Sequence, residues 1–216
     1  MEITGAIFDM DGTLLNSMDY WSTVADEYLQ SIGIIPNEDT GHRFLTLGIK
    51  NWYEFCQKEY NLTVTFEEAR TGIYSIINKH YETDVYLKEG ALELLEKLSK
   101  KGVKMCLATA TDRQSVELVL KRLNIEKYFL RIFTSGEVGV GKREPLIYEK
   151  ALEFLGTARD TTYVFEDAPY AMRTAYTNNF KVVGVYDKNV LETEDEVKSL
   201  CHIYLDRDSH YNLDIK

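Results

Sequence analysis

Apolar positions along this chain follow two rhythms. Residues 3–9 form a short, mostly apolar run ending in a carboxylate, which predicts a buried strand. Over 18–32, Trp21, Val24, Tyr28, Leu29 and Ile32 recur at helical spacing, and Gly33 stops the pattern. Helical spacing returns over 52–60 and 66–80, with no strong strand pattern before about residue 86. This span is rich in aromatics, among them Trp21, Tyr28, Phe44, Trp52, Tyr53, Tyr74, Tyr81 and Tyr86, which are expected to fill a small helical core.

Beyond it, strands and helices alternate. Helices are predicted over 89–101, 114–123, 145–155, 170–177 and 190–200, and strands over 103–108, 131–134, 162–165, 181–185 and 202–205. Alternation of this kind predicts a parallel sheet covered on both faces. The expected fold class is therefore α/β: a Rossmann-like core of residues 1–14 and 89–216, with an all-helical insert over 15–88.

In such sheets ligands bind beyond the carboxyl ends of the strands. Those ends carry Asp9-Met10-Asp11, Thr109-Ala110-Thr111, Thr134-Ser135-Gly136 and Glu166-Asp167, with Lys142 nearby. Gly12 lets the chain turn sharply, so that backbone amides can face an anion. Met10, Gly12, Thr109, Ala110 and Lys142 are the expected phosphate-binding positions. Clustered carboxylates repel unless a cation neutralises them, and an all-oxygen set suits Mg²⁺. A carboxylate nucleophile, a second carboxyl for proton transfer, a cation and a lysine together permit phosphoryl transfer.

Composition narrows the partners. The chain has 216 residues and a net charge of −10, which argues against a non-specific nucleic-acid binder. No apolar stretch approaches membrane-spanning length, and the N-terminus lacks the pattern of a signal peptide. Cys56, Cys106 and Cys201 are scattered and odd in number, as expected of free thiols in a cytoplasmic protein. His42, His80, His202 and His210 show no paired metal spacing. The expected partner is a small phosphorylated metabolite, with the chain a monomer or weak dimer.

The motifs carry a resemblance. Phe8-Asp9-Met10-Asp11-Gly12-Thr13-Leu14 resembles the DxDGT motif of the haloacid dehalogenase (HAD) superfamily. Leu107-Ala108-Thr109-Ala110-Thr111 is similar to the second motif of that superfamily. Gly141-Lys142-Arg143-Glu144-Pro145-Leu146-Ile147-Tyr148 resembles the third, which supplies a lysine, and Val164-Phe165-Glu166-Asp167-Ala168 the fourth. The order is kept along the whole chain. The resemblance, to the β-phosphoglucomutase-like and phosphatase branch, implies the roles. Asp9 would become an aspartyl phosphate, and Asp11 would protonate the leaving oxygen and then activate water. Thr109 and Lys142 would hold phosphoryl oxygens. Asp9, the Asp11 backbone carbonyl and Asp167 would bind Mg²⁺, with Glu166 as a ligand or its neighbour. The insert would be a helical cap, with His42, Arg43, Lys50 and Asn51 as candidate substrate contacts. The chain departs from the pattern at Arg143, where proline is usual, at Leu146, Ala168 and Ala171, and at Asn179-Phe180, where Ala-Gly is usual.

Rival readings exist. The stretch 136–142 fits a GxxxxGK nucleotide loop, but Arg143 stands where the magnesium-binding Ser or Thr belongs. A phosphoacceptor signalling domain shares the acids and the lysine, yet has no use for the insert. A sugar-phosphate mutase would resemble this chain with a histidine on the first cap helix, where Asp19-Tyr20-Trp21 stands instead. A phosphonatase would need a Schiff-base lysine in the cap, and Lys50 is the candidate.

Overall fold

The short apolar runs become strands because their branched and aromatic side chains suit a surface buried on both faces. In the computed structural model the described residues are 2–38, 40–209 and 211–214, with backbone alone at His42. Six strands form: β1 (Gly5–Phe8), β2 (Lys104–Thr109), β3 (Arg131–Thr134), β4 (Thr162–Glu166), β5 (Lys181–Val185) and β6 (Ile203–Leu205). They lie in the order β3-β2-β1-β4-β5-β6, and every neighbouring pair is parallel. The expected parallel α/β sheet is therefore what forms.

Helices in order are α1 (Met18–Ser31), α2 (Thr40–Tyr60), α3 (Phe66–Thr83), α4 (Ala91–Lys100), α5 (Arg113–Arg122), α6 (Ser135–Val138), α7 (Leu146–Leu155), α8 (Pro169–Thr177) and α9 (Glu194–Lys198). Side chains alternate across a strand, so neighbouring residues serve opposite faces. Ile7, Cys106, Ala108, Val164 and Val182 join Ile147, Ala151, Met172, Ala175 and Val197 in one core cluster with α7, α8 and α9. Phe8 stacks instead on Phe165, ring centroids 4.2 Å apart. Next to it in β2, Leu107 is likewise fully buried, and α4 packs against β2 through a buried stripe of Ala91, Leu94, Leu95 and Leu98.

Two compact units result, one of residues 1–16 and 86–216 and the other of residues 17–85. The second unit contains α1, α2 and α3, and no strand among its described residues. Its core is aromatic: Trp52 and Tyr81 are fully buried, and Phe44 meets Trp52 edge-on at 5.4 Å. Two glycines permit the close packing. A Cβ on Gly72 would come within 2.3 Å of the Tyr28 ring, and one on Gly41 within 2.6 Å of the Ser22 carbonyl oxygen. Tyr86 departs from the expected aromatic core, being 57% exposed and belonging to the sheet-containing unit.

Local chemistry moved several boundaries. Helix α2 begins at Thr40, well before the expected residue 52, and breaks its regular geometry at Gly48 with φ of 75°. That break interrupts the apolar period, which hid the first half. Helix α9 is shorter than expected because a capping box at Thr193 and Glu196 sets its start. Helix α6 was not expected; at four residues it is too short to show a period, and the Thr134 side chain caps it by accepting from the Glu137 amide. Asn179, in place of the usual alanine, takes φ of 61°, a left-handed turn that asparagine tolerates.

Candidate active site

The sheet reverses its winding at β1. The chain runs outward through β2 and β3, then returns to pair β4 against the other side of β1. That crevice is where open α/β sheets place ligands, and the motif residues cluster there. Asp9 follows β1, Thr109 ends β2, and Glu166 ends β4 with Asp167 next.

The turn after β1 is built from its own backbone. Leu14 and Leu15 amides both donate to the Met10 carbonyl, at 2.9 and 3.0 Å. Gly12 takes φ of 79°, which only glycine adopts freely. Its N–H donates to the Leu15 carbonyl at 3.0 Å. This corrects the expectation that Gly12 offers an amide to phosphate: that donor is already used, and the residue serves the turn. The Met10 side chain is fully buried, so it can offer an anion only its backbone.

Lys142 is 3% exposed and lies between two carboxylates. Its Nζ donates to Asp9 Oδ1 and, at 2.8 Å, to Glu166 Oε2. The Tyr148 hydroxyl donates to the same Glu166 oxygen at 3.2 Å, and the Ala168 amide donates to Oε1 at 3.2 Å. Asp167 Oδ1 accepts from the Thr13 hydroxyl at 2.8 Å. Asp9, Glu166 and Asp167 each bring a carboxylate oxygen within 4.8 Å of the others, and all three are buried. The Asp11 carboxylate does not join that trio. Its Oδ2 accepts from the Thr111 hydroxyl at 2.7 Å. Thr109, 1% exposed, accepts from the Thr111 amide at 3.1 Å, while Ala110 is exposed.

This much buried charge shifts protonation. Burial disfavours the charged form of Asp9 and pushes its pKa up to about 7, with Lys142 pulling it back and Glu166 and Asp11 adding to the rise. Asp167 is held well above the ordinary carboxylate range, first by burial and then by the Glu166 and Asp9 charges, with Lys88 opposing. Burial pulls Lys142 down, but the charges of Asp9 and Glu166 outweigh it and hold the ammonium well above its usual value.

A pH dependence follows. With divalent cations removed by EDTA, Asp9 binds more protons in the folded state than in the unfolded chain between 3.8 and about 7. Stability then falls as pH rises through that window. The melting temperature in EDTA is expected to drop between pH 5 and pH 7, and Asp9→Asn should flatten the slope. An equally steep slope in that variant would remove Asp9 as its source.

Other expected positions are placed elsewhere. The nucleotide-loop reading fails: Lys142 is directed at two carboxylates, and Glu137 is fixed by Arg113 at 2.6 Å. Arg143 lies over the Tyr170 ring, 4.6 Å from its centroid. In the helical unit, Arg43 lies over Phe55 at 4.8 Å, Asn51 donates to the Leu47 carbonyl at 3.1 Å, and Lys50 is exposed. The side chain of His42 and all of His210 lie outside the described residues. His80 stacks on Tyr20 and bonds Asp84, and His202 accepts from the Val182 amide. Burial pushes the thiols of Cys56 and Cys106 up to about 12.

The profile of the haloacid dehalogenase-like hydrolases matches residues 6–185, well over half of the chain. This chain belongs to that family. It is a hydrolase, and the six-stranded parallel core is the family's fold. Among its relatives is a phosphorylated carbohydrates phosphatase of Thermotoga maritima, 26% identical, with 78% of this chain and 78% of the relative covered. A pyrophosphatase PpaX of Bacillus cereus is also 26% identical, covering 77% of this chain and 76% of its own. The crystal structure of CbbY from Rhodobacter sphaeroides in complex with phosphate superimposes with a TM-score of 0.84 at 19% identity, covering 99% of this chain and 97% of that one. At that identity the likeness speaks for the HAD fold alone.

Three residues at this site make contacts to which the motifs alone assign no role. Thr111 had a signal, since it stands two positions after Thr109 at a strand end. Tyr148 stands six positions after Lys142 on helix α7, within the third motif, of which only the lysine carried an expected role. Lys88 pairs with Asp187 at 2.9 Å and donates to the Tyr186 carbonyl at 2.8 Å, a contact between distant segments that left no local mark. No helix among the described residues is long and apolar enough to cross a membrane.

Proposed function

We propose that this chain is a Mg²⁺-dependent phosphatase that hydrolyses a small phosphomonoester through an aspartyl phosphate on Asp9. The observation that carries the reading is a buried trio, Asp9, Glu166 and Asp167, the first two bonded by Lys142, accompanied by a separate carboxyl, Asp11, held by Thr111. The relatives named for phosphatase activity on phosphorylated carbohydrates and for pyrophosphatase activity support the class of reaction.

The donor set fits the cation. Three buried carboxylates with oxygens within 4.8 Å of one another offer hard ligands and no sulfur or imidazole. Asp9, Asp167 and the Asp11 carbonyl would hold Mg²⁺, with Glu166 beside them. When bound, the ion supplies positive charge against the carboxylates and the phosphoryl oxygens.

The chain's own residues divide the remaining work. The Asp9 carboxylate attacks phosphorus, an acyl phosphate bond forms, and the bond to the leaving oxygen breaks. The Asp11 carboxyl gives its proton to that oxygen as it departs. In the second half Asp11 takes a proton from water, which attacks the same phosphorus, and Asp9 is released with inorganic phosphate. Lys142 opposes the charge that gathers on the phosphoryl group, and the Thr109 hydroxyl with the Met10 and Ala110 amides orients it. The helical insert is proposed to span 15–88. We assign the reaction to the cytoplasm, where three free thiols stay reduced.

Exhaustive EDTA treatment is expected to abolish hydrolysis of a generic phosphomonoester, and Mg²⁺ to restore it. Asp167→Asn removes a negative ligand and should weaken Mg²⁺ binding at least about 10-fold by titration calorimetry. Activity that survives chelation overturns the metal's part in the reading.

A further inference from the structure

The segment after β6 lies beyond the family match, which ends at residue 185. It returns from the edge of the sheet to the turn that follows β1. Asp206 starts the return: its Oδ1 accepts from the Asp208 amide at 3.2 Å, and its carbonyl accepts from the Ser209 hydroxyl at 2.9 Å. The Asn212 amide donates to the Ser209 carbonyl at 2.8 Å. Leu213 is buried, and its carbonyl accepts from Lys97 of α4 at 2.5 Å.

Between these anchors is Tyr211. It is 7% exposed, and its backbone takes φ of 55°. A bulky residue adopts that left-handed conformation only when its surroundings require it. The Tyr211 hydroxyl donates to the Thr13 carbonyl. The Thr13 hydroxyl in turn donates to Asp167 Oδ1 at 2.8 Å. Thr13 is fully buried, so its carbonyl has no recourse to water if the phenol is lost. Burial, reinforced by Asp167, Asp187 and Asp9, holds the phenol well above the ordinary tyrosine value, so it remains an O–H donor.

We propose that Tyr211 is a positioning residue for the cation site, and that residues 206–209 and 211–214 belong to a strap through which the C-terminal segment sets the aim of the Asp167 carboxylate. The phenol fixes Thr13, and Thr13 fixes the oxygen that would face the ion. The inference rests on the Mg²⁺ site of the proposed phosphatase. Groups that orient a metal ligand from behind govern affinity almost as ligands do.

The test uses the whole chain and Mn²⁺ as the probe, with free Mn²⁺ read by electron paramagnetic resonance. Tyr211→Phe keeps the ring and removes only the donor. It is expected to weaken Mn²⁺ binding about 5- to 10-fold, the worth of one hydrogen bond. Saturating Mg²⁺ should then restore most of the turnover, so the Mg²⁺ requirement shifts while kcat is retained. Ile77→Ala destabilises by packing alone in the helical unit, outside the strap; it should lower the melting temperature yet keep Mn²⁺ affinity within about two-fold of wild type. Coupling is reciprocal, so Mg²⁺ should also slow amide exchange in the 206–214 peptide of the wild-type chain, a measurement that needs no variant. Wild-type affinity in Tyr211→Phe, an equal loss in Ile77→Ala, or exchange that ignores Mg²⁺ would each overturn the proposal. A wild-type chain that binds no Mn²⁺ would overturn the metal site itself, a result distinguished by the wild-type curve.

Discussion

Asp9→Asn is expected to lower phosphomonoester turnover at least about 10⁴-fold, because it removes the atom that forms the covalent bond. The fold should survive. Asparagine has nearly the same volume, and Lys142 keeps Glu166 as its partner at 2.8 Å. The substitution also removes one of the three buried acids that repel each other at this site. Its melting temperature in EDTA near pH 7 should therefore equal or exceed that of wild type. Circular dichroism and calorimetry check the fold, and a coupled phosphate assay checks the rate. The covalent step has its own readout: acid quenching followed by mass spectrometry should find phosphate on the peptide carrying Asp9. A rate within ten-fold of wild type, or label on another residue, would remove Asp9 as nucleophile.

For Asp11→Asn the expected loss is about 10²–10⁴-fold in turnover, the usual worth of general acid–base catalysis. The structure separates this residue from the metal trio. Its Oδ2 is engaged by Thr111 at 2.7 Å, while Asp9, Glu166 and Asp167 converge on one another. Cation affinity should thus change little, since the backbone carbonyl proposed as ligand is kept. The loss should be larger for alkyl phosphates, whose leaving oxygen needs a proton, than for aryl phosphates in the phosphorylation step. With an aryl substrate a burst should appear, followed by slow hydrolysis of the aspartyl phosphate. Equal burst-phase losses for both leaving groups would count against Asp11 as the acid. A collapse of Mg²⁺ affinity would make its carboxylate a ligand instead. Thr111→Val should give a smaller loss in the same direction, because it frees the Asp11 side chain without removing it.

What the sequence determined by itself was local. The runs that became β1, β3 and β5 are short, apolar and bounded, and a strand buried on both faces needs little more. A parallel sheet followed from the alternation with helices, and the carboxyl-end rule then placed Asp9, Thr109, Glu166 and Asp167 on one rim; the order of the strands did not follow. The acids were legible because each stands at or just beyond the end of a strand that its neighbours in sequence already define, and the lysine because it lies in the short loop before α7.

Tertiary structure alone decided how those groups are held. Thr111 bonds Asp11 across 100 positions, Thr13 bonds Asp167 across 154, and the Tyr211 hydroxyl reaches the Thr13 carbonyl across 198. A hydroxyl carries no period and no partner in its own sequence; its acceptor is set by which chain segments the sheet brings together. Gly12 makes the same point from the other side. Its sequence context marked a turn that could offer an amide, and the turn itself used that amide on the Leu15 carbonyl at 3.0 Å. Propensity and pattern select elements because those depend on nearby residues, whereas hydrogen-bond satisfaction in a buried site depends on every segment that reaches it.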